Sequence, residues 1–317
     1  MEALAWAKRR RLRVGVIGGG SNLVVPDAGF DGLVVAIAIR GVEEASAGGA
    51  RVRITAKAGE PWDALVAHAI DLDLAGVECL SGIPGLVGAT PIQNVGAYGQ
   101  EVSSTITEVR AFDRSARRFV TLRADECAFA YRDSRFKRAP DAFVVTEVVF
   151  ELTRGGAPTI VYAELAKKLG GRNATLREVR DTVIALRRSK AMVIDPSDPS
   201  TRSAGSFFTN PIVDTETRDR VIAHAIERGV VSVAGEVPTF PQDDGRTKLA
   251  AGWLIERAGI VKGLRRGSVG VSDKHALALV HHGGGTTRAL LALAEEIVER
   301  VHDVWGVSLE REPVLFG

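Results

Sequence analysis

The sequence predicts an α+β protein with more than one domain. The chain has 317 residues, which exceeds the length of an ordinary single core. Strand patterns follow one another between residues 12 and 39 without a helix, while helical patterns occupy 61–76 and 176–190. A loop rich in Pro and Ser at 195–207 is the strongest domain boundary, and a smaller unit follows it.

The individual elements are predicted from hydrophobic periodicity. Strand patterns, in which apolar and polar residues alternate or β-branched residues cluster, occupy 12–22, 23–26, 32–39, 51–59, 106–113, 119–125, 143–153 and the terminal 307–317. Helical spacing of apolar residues occurs in 2–10, 61–76, 176–190, 214–228, 248–258 and 286–304. Pro61 stands at a helix start, where proline is tolerated.

Composition restricts the function classes. The 41 basic and 39 acidic residues give a net charge of +2, so there is no reason to expect a nucleic-acid partner. Cys79 and Cys127 have no Cys or His at metal-ligand spacing, and reduced thiols without a metal site are expected. No apolar run approaches the ~20 residues of a membrane helix, and the N-terminus lacks a signal-peptide pattern. We therefore expect a soluble, cytoplasmic protein.

The glycine turn GGGSN at 18–22 invites comparison with a dinucleotide-binding fold. That fold needs a third spaced glycine and a helix after the turn, whereas here Leu23 begins another strand. Two interpretations remain open. The turn is either a plain hairpin turn or a nest of N–H groups that binds a diphosphate.

A second glycine-rich segment covers 81–102. It is dense in Gly and Pro, which give tight turns and accessible amides, and it is nearly uncharged. Surface loops of this length are usually more charged. The segment therefore favours a buried planar cofactor over a purely structural loop, and it also favours the diphosphate interpretation of residues 18–22.

Polar side chains at three places in the sequence each allow two interpretations. Arg132 in AYRDSRF is either a surface-turn residue in an Arg–Asp pair or a bidentate ligand of a carboxylate. Ser206 in RSAGSFFTNP has neither a neighbouring base nor a GxSxG elbow, so hydrogen bonding or proton donation fits better than nucleophilic attack. Glu310 and Glu312 share one face of the predicted terminal strand. Either both are exposed at the end of that strand, or one of the two carboxylates acts as a general acid or base.

Seven segments along nearly the whole chain resemble the UDP-N-acetylenolpyruvoylglucosamine reductase family. In order they are GGGSNLVV, GIPGLVGATPIQNVGAYGQEV, YRDSRFK, RRSKAM, RSAGSFFTNP, KLAAGWLIERAG with KG, and LEREPVLFG. The second and fifth are highly specific. The run from RRSKAM to AGSFF resembles the actinobacterial branch, and Tyr162 in TIVYAEL resembles the substrate-covering tyrosine of the family's first type.

The resemblance implies a two-part FAD-binding region of the vanillyl-alcohol-oxidase (PCMH) type and a smaller α+β substrate-binding domain. The implied parts are FAD-binding subdomain 1 at 1–38, FAD-binding subdomain 2 at 39–194, the substrate-binding domain at 195–305, and a C-terminal strand that returns to the active site at 306–317. Relatives carry a further N-terminal stretch with a Thr-Phe-Gly segment, so the first subdomain is expected to be shortened.

The resemblance also implies the chemistry. NADPH reduces bound FAD, and hydride then passes to the vinyl carbon of UDP-N-acetylglucosamine enolpyruvate, giving UDP-N-acetylmuramate for peptidoglycan synthesis. Ser206 resembles the proton donor, Arg132 a fixed cation, and Glu312 a carboxylic acid that stabilises the intermediate. Pro313 follows Glu312 where many relatives have Val-Arg. The implied partners are the substrate and NADPH, with a monomer expected and neither nucleic acid nor membrane.

Two groups of binding residues follow from the resemblance. The implied flavin contacts are Gly18, Gly19, Gly20, Ser21, Asn22, Gly82, Ile83, Pro84, Gly85, Gly88, Ala89, Gln93, Asn94, Gly96 and Ala97. The implied substrate contacts are Tyr98, Tyr162, Lys190, Asn210 and His275, the last of which stands where relatives often carry Gln. Two other functions remain open: an FAD-dependent alcohol or lactone oxidase of the same fold, and a nucleotide-sugar-binding protein without flavin.

Overall fold

The structure is a computed structural model that describes residues 2–317. The chain forms two compact units. The first contains the residues up to Gly20 and Asp31–Val193, and the second contains Ser21–Phe30 and Ile194–Gly317. Residues 21–30 belong to the second unit, because they carry a strand that pairs with the C-terminus. The bounds 1–38 for the first flavin subdomain stay a prediction.

Helices occur at all six predicted positions, and two short ones are added. Their bounds are α1 (Glu2–Arg9), α2 (Trp62–Asp71), α3 (Arg135–Arg138), α4 (Ala163–Leu169), α5 (Leu176–Ser189), α6 (Thr215–Glu227), α7 (Ala251–Arg257) and α8 (Thr287–Trp305). Helix α5 begins at a capping box, in which the Glu178 N–H donates to Thr175 Oγ1 (3.2 Å) and the Thr175 N–H donates to Glu178 Oε2 (2.8 Å). The added helix α3 has only four residues, which is too short for helical periodicity to show.

The strands are short apart from the central ones. They are β1 (Val14–Ile17), β2 (Leu23–Val24), β3 (Leu33–Ala36), β4 (Val42–Gly48), β5 (Arg51–Lys57), β6 (Leu74–Ala75), β7 (Gly96–Ala97), β8 (Gln100–Glu101), β9 (Ile106–Asp113), β10 (Arg118–Arg123), β11 (Phe143–Arg154), β12 (Ser203–Ser206), β13 (Ile212–Val213), β14 (Thr239–Pro241), β15 (Thr247–Leu249), β16 (Arg265–Arg266), β17 (Val269–Val271), β18 (Ala278–His281) and β19 (Val314–Leu315).

One sheet carries the core of the first unit. Its strand order is β10-β9-β11-β5-β4, with β6 paired to the end of β11, and β1 and β3 form a separate parallel pair. On β11, Val148 lies opposite Ala56 on one side and Val109 on the other, and all three are fully buried. Helix α2 belongs to the same core, where Trp62 packs against Phe150 with ring centroids 5.8 Å apart. This core fixes the helix that precedes the glycine-rich segment.

The second unit has its own core. It contains the sheet β12-β18-β17-β16, the sheet β13-β15-β14, and the parallel pair of β2 and β19. Helices α6, α7 and α8 contribute apolar side chains to this core, together with residues of the strands and loops. Trp305 of α8 donates its indole N–H to the Leu254 carbonyl of α7 (3.0 Å), which joins the two helices. The strand that contains Ser206 is thus part of a packed sheet.

Three predicted elements end differently in the structure. The helix predicted over 61–76 ends at Asp71, because Asp73 has a positive φ (57°) and the chain then pairs as β6. The loop predicted over 195–207 contains β12. The terminal strand predicted over 307–317 is reduced to β19 and an isolated bridge between Phe208 and Arg311.

The shortened terminal strand changes the prediction for its two carboxylates. Pro313 cannot donate to a strand ladder, and regular pairing begins only after it. The regular strand that this prediction assumed is therefore absent at residues 310–312, which form only an isolated bridge, and a shared face for Glu310 and Glu312 stays a prediction. Glu310 is exposed and Glu312 is half-buried, so the two carboxylates have different surroundings.

Candidate active site

In the first unit, the two glycine-rich segments meet. A Cβ added to Gly19 would lie 3.0 Å from Gly85 Cα, and one added to Gly18 would contact Leu86 and Ala89. Gly20 has a positive φ of 73°, which disfavours any side chain there. The chain therefore presents closely spaced backbone with only small or apolar side chains where these segments meet. Such a surface fits FAD, whose diphosphate seeks N–H groups and whose ring needs flat access.

Some glycines in the second segment have packing roles. The Gly88 N–H donates to the Ala58 carbonyl (2.9 Å), and a Cβ on Gly88 would come within 2.5 Å of the Ala58 Cβ. The Ala89 N–H donates to the Leu86 carbonyl (3.0 Å). The N–H groups of Gly88 and Ala89 are used within the protein. These two residues therefore present a ligand with the shape of their backbone and not with hydrogen-bond donors. The predicted contacts that remain partly exposed here are Ile83, Pro84, Gly85, Ala89, Gln93, Gly96 and Ala97.

The close approach of Gly19 and Gly85 predicts a strong effect on cofactor binding. We expect Gly19→Val to weaken FAD binding by ~10- to 100-fold, because overpacking at a backbone contact costs roughly 1–3 kcal/mol. Flavin fluorescence titration measures the dissociation constant. Gly235→Val is the matched control, because Gly235 has a negative φ and its added Cβ meets nothing within 4 Å. An unchanged dissociation constant for Gly19→Val would remove this turn from the cofactor site.

Asp63 on α2 anchors the start of the glycine-rich segment. Its carboxylate accepts two hydrogen bonds from Arg180 of α5 (2.7 and 2.9 Å) and one from the Gly82 N–H (2.6 Å). Partial burial raises the pKa of Asp63, but the bonds from Arg180 and Gly82 and the charges of Arg180 and Arg187 outweigh it, so the net pKa is lowered. Gly82, predicted as a flavin contact, thus uses its N–H within the protein.

The lowered pKa predicts a pH-dependent contribution to stability. The Asp63 carboxylate stabilises the fold above its unfolded pKa, and this stabilisation is lost as the pH falls through the folded pKa. We expect Asp63→Asn to lower Tm by roughly 1–4 °C at pH 7, because the carboxylate is partly exposed, and by progressively less below about pH 4. Asp71→Asn, on the same helix and exposed beside Arg177, is the control in a pH series of melting curves. A difference that grew on acidification would contradict this assignment.

Asn94, predicted as a flavin contact, has a side chain that hydrogen-bonds to three other residues. Its amide donates to Glu101 Oε2 (2.7 Å) and to the Ala130 carbonyl (3.0 Å), and its oxygen accepts from the Ser103 N–H (3.1 Å). The side chain is almost fully buried and the backbone has a positive φ of 45°. Asn94 therefore fastens the glycine-rich segment to the turn that carries Arg132, and a direct flavin contact stays a prediction.

Arg132 lies against the same segment. Its guanidinium donates to the Gly96 carbonyl (2.7 Å), and its backbone has a positive φ of 51°. Left-handed backbone is unfavourable for residues other than glycine, and it tends to persist at functional sites where surrounding contacts hold it. The structure therefore places a fixed cation beside the predicted flavin loop. A residue of an ordinary surface turn would not need this contact.

Two predicted substrate contacts, Tyr98 and Tyr162, touch each other. Their rings meet edge to face with centroids 5.4 Å apart, and Tyr162 stands directly before α4. Burial raises the pKa of Tyr98 to about 12, so its hydroxyl keeps its proton across the physiological range. Arg187, which the sequence analysis did not single out, lies near Tyr98 and Arg132, and burial lowers its pKa.

Lys190, predicted to hold the diphosphate-linked sugar, makes an ion pair with Glu164 (2.6 Å). Glu164 is the second residue of α4, and Lys190 directly follows α5. Helical periodicity identified α5 and its last residues, but no sequence signal paired this lysine with Glu164. The structure therefore gives Lys190 an acidic neighbour close to Tyr162.

The second unit brings Ser206 close to Glu312 along the backbone. Ser206 ends β12, and the next residue, Phe207, accepts a hydrogen bond at its carbonyl from the Glu312 N–H (3.0 Å). Phe207 and Phe208 are each 1% exposed, so they anchor the segment. The side-chain amide of Asn22 donates to the Glu312 carbonyl (3.4 Å). Two predicted catalytic residues and one predicted flavin contact are thus neighbours.

The other predicted residues of this unit have clear local roles. Asn210 Oδ1 accepts from the Ala251 N–H at the start of α7 (2.9 Å). His275 Nδ1 accepts from the Leu277 N–H (3.2 Å), in the turn before β18, which pairs with the Ser206 strand. Both side chains are held by backbone contacts that give them defined positions.

Two absences apply to the residues described. Between residues 2 and 317, no helix combines the length and apolar character that a bilayer crossing takes. In the same range, no group of three or more His, Cys, Asp or Glu side chains is arranged to hold a metal ion.

Comparisons with known proteins agree on one family. Residues 195–316 match the model of the UDP-N-acetylenolpyruvoylglucosamine reductase C-terminal domain, and residues 1–121 match an FAD binding domain. A relative named UDP-N-acetylenolpyruvoylglucosamine reductase from Thermobifida fusca is 52% identical over 306 residues, covering 95% of this chain and 85% of the relative. The relative of that name from Streptomyces coelicolor is 50% identical over 311 residues, covering 95% and 78%.

A solved structure supports the fold. The UDP-N-acetylenolpyruvylglucosamine reductase of Thermus caldophilus superposes with a TM-score of 0.63 at 23% identity, covering 98% of this chain and 88% of that chain. With the two domain matches, this confirms the predicted fold class, an α+β FAD-binding region followed by a smaller C-terminal domain.

Proposed function

Because this chain belongs to the UDP-N-acetylenolpyruvoylglucosamine reductase family, we propose that Arg132, Ser206 and Glu312 carry its second half-reaction. The protein is an FAD-dependent oxidoreductase that uses NADPH to reduce UDP-N-acetylglucosamine enolpyruvate in peptidoglycan synthesis. When bound and reduced by NADPH, FAD would supply a hydride for the terminal vinyl carbon of the substrate. The residues of the chain must then stabilise negative charge and deliver one proton.

Arg132 is proposed to hold the substrate carboxylate. A guanidinium is planar and always charged, and it matches a carboxylate in two parallel hydrogen bonds. The bond from Arg132 to the Gly96 carbonyl supports this role, because it fixes one edge of the guanidinium. A fixed cation stabilises developing charge without reorganising during the reaction. This contact is the observation that carries the proposal.

Ser206 is proposed to protonate the carbon next to the carboxylate. Hydride on the vinyl carbon leaves an electron pair on that neighbouring carbon, which accepts a proton from the serine hydroxyl and completes the lactyl ether. A serine hydroxyl is a weak acid, so it donates only to a strongly basic, well-placed enolate. Glu312 is proposed to act as a carboxylic acid that donates a hydrogen bond to this enolate. Solvent restores the proton of Ser206.

The remaining predicted residues are proposed to bind the cofactor and the nucleotide sugar. Gly18–Gly20, Ser21, Asn22 and the segment 82–97 would hold FAD, supported by the close approach of Gly19 to Gly85. Lys190 and Asn210 would hold the diphosphate-linked sugar, Tyr162 would cover it, and Tyr98 and His275 would line it.

Flavin spectra test the function directly. The purified protein should be yellow, its flavin should bleach with NADPH without oxygen, and the colour should return when UDP-N-acetylglucosamine enolpyruvate is added. Recovery with oxygen alone, and none with the enolpyruvyl substrate, would favour the alcohol or lactone oxidase alternative. A colourless protein that gained no flavin on reconstitution would favour the nucleotide-sugar-binding alternative.

We also propose that the protein acts as a cytoplasmic monomer, with the roles in cell shape, cell cycle and division that follow from wall synthesis. The unpaired thiols of Cys79 and Cys127 support the location, because free cysteines are typical of reducing compartments. A separate hydrophobic core in each unit supports folding without a partner. Size-exclusion chromatography with light scattering tests the monomer, and a mass twice that of the chain would contradict it.

A further inference from the structure

The turn that carries Arg132 is tight and strained. Ala130 and Asp133 exchange backbone hydrogen bonds (3.0 and 3.1 Å), and Arg132 sits between them with a φ of 51°. A residue with a Cβ adopts this conformation only where neighbouring contacts favour it over the alternatives. Contacts that hold the backbone of Arg132 therefore also determine where its guanidinium lies.

One such contact comes from Lys137. Its ammonium group donates a hydrogen bond to the carbonyl oxygen of Arg132 (2.7 Å). Hydrogen bonds from a charged donor are stronger than neutral ones, and this one acts directly on the peptide group that follows the strained φ. Lys137 is half-buried, so solvent competes less for its ammonium group than it would at an exposed site.

The position of Lys137 is itself fixed. Ser134 is fully buried and caps α3, and its hydroxyl oxygen accepts from the N–H groups of Phe136 (3.1 Å) and Lys137 (3.2 Å). The same hydroxyl donates to the Ile92 carbonyl in the glycine-rich segment (2.5 Å). Helix α3 is therefore fastened to the predicted flavin loop, and Lys137 reaches back from it to the Arg132 turn.

We propose that Lys137 is a positioning residue, which holds the Arg132 turn so that the guanidinium keeps one orientation against Gly96. This inference rests on the proposed role of Arg132 as the carboxylate ligand. It assigns Lys137 no contact with substrate or FAD. Its effect should appear wherever the substrate carboxylate is recognised and not where FAD is reduced.

The experiment compares three full-length variants. Lys137→Met removes the donor and keeps much of the side-chain length, Lys137→Arg keeps a charged donor, and Arg135→Met is the control. Arg135 lies on the same helix, carries the same charge and stacks on Phe143 with its guanidinium carbon 5.5 Å from the ring centroid. The measurements are both half-reaction rates, Tm, and calorimetric Kd values for UDP-N-acetylglucosamine enolpyruvate and for UDP-N-acetylglucosamine, which lacks the carboxylate.

We expect Lys137→Met to slow the second half-reaction by ~10- to 100-fold and to weaken binding of the enolpyruvyl ligand. Flavin reduction by NADPH and the Kd for UDP-N-acetylglucosamine should match those of Arg135→Met, and Lys137→Arg should recover at least part of the loss. Equal slowing of both half-reactions, or equal weakening of both ligands, would show that Lys137 only supports the fold. Unchanged values for folded Lys137→Met would also overturn the proposal.

A failure here can be separated from a failure of the proposed function. If Arg132→Lys slows the second half-reaction while Lys137→Met does not, only the positioning role of Lys137 is lost. If neither variant slows it, Arg132 is not the carboxylate ligand, and the proposed function of this site fails with it.

Discussion

Ser206→Ala should leave the reduction of bound FAD by NADPH unchanged and slow the second half-reaction by at least ~100-fold. The hydroxyl is proposed to act only after hydride has reached the substrate, so its loss should not affect the step before. The variant should keep its fold, because buried Phe207 and Phe208 hold the segment in place when the hydroxyl is removed. Anaerobic stopped-flow absorbance of the flavin measures both steps separately.

A serine three residues earlier provides the control for this prediction. Ser203 begins the same strand, β12, and pairs opposite Val280, so Ser203→Ala makes the same chemical change in the same sheet. It should have nearly the rates of the unchanged protein in both steps. Equal slowing of both half-reactions in Ser206→Ala, with no change in the control, would assign Ser206 a role in flavin binding and not in proton donation.

Arg132→Lys should be nearly as damaging as loss of the side chain, with the second half-reaction slowed by ~100-fold or more. Lysine keeps the charge but has no planar fork, so it cannot bind a carboxylate in two parallel bonds while also reaching the Gly96 carbonyl. Single-turnover reoxidation of reduced flavin by the enolpyruvyl substrate is the measurement. Arg135→Lys, on the neighbouring helix, is the control, and both of its half-reaction rates should equal those of the unchanged protein.

Full activity in Arg132→Lys would contradict the bidentate role. The left-handed backbone at this residue does not complicate the comparison, because lysine and arginine both carry a Cβ and have the same backbone strain there. A difference between them therefore reports on the guanidinium and not on the turn. A melting temperature equal to that of the unchanged protein would establish that the turn is intact.

The main elements of the fold were predictable because their signals are local. Alternation over 51–59, 106–113 and 143–153 predicted β5, β9 and β11, which pair as neighbours in one sheet. The glycine turn at 18–22 was correctly separated from a dinucleotide-binding fold, because a strand and not a helix follows it. The short strands β12–β18 have few residues each, so their pattern was too brief to stand out from the surrounding loops.

The terminal strand shows why a local pattern can fail. Residues 307–317 alternate like a strand, yet regular pairing is limited to Val314 and Leu315. Strand pairing requires a partner strand as well as alternating residues, and Pro313 has no N–H group to donate. The sequence contains the alternation, but only the position of Phe208 and of β2 decides which residues pair.

The candidate site shows the same division. Residue types and their order predicted Arg132, Ser206 and the glycine-rich segments as site residues, since the chemistry of a side chain follows from its type. Asn94 was predicted as a flavin contact, but no sequence signal showed that its side chain bonds to Glu101, Ser103 and Ala130. Asp63 was not singled out, because its partner Arg180 lies 117 residues away in the chain.

By itself, the sequence determined the fold class, the family and the residues with suitable chemistry, because periodicity, glycine content and motif order are properties of neighbouring residues. Only the tertiary structure decided that Gly19 approaches Gly85, that Glu312 pairs its backbone with Phe207, and that Lys137 holds the Arg132 carbonyl. The physical reason is that hydrogen bonds and close packing act over a few ångströms in space, whatever the distance along the chain.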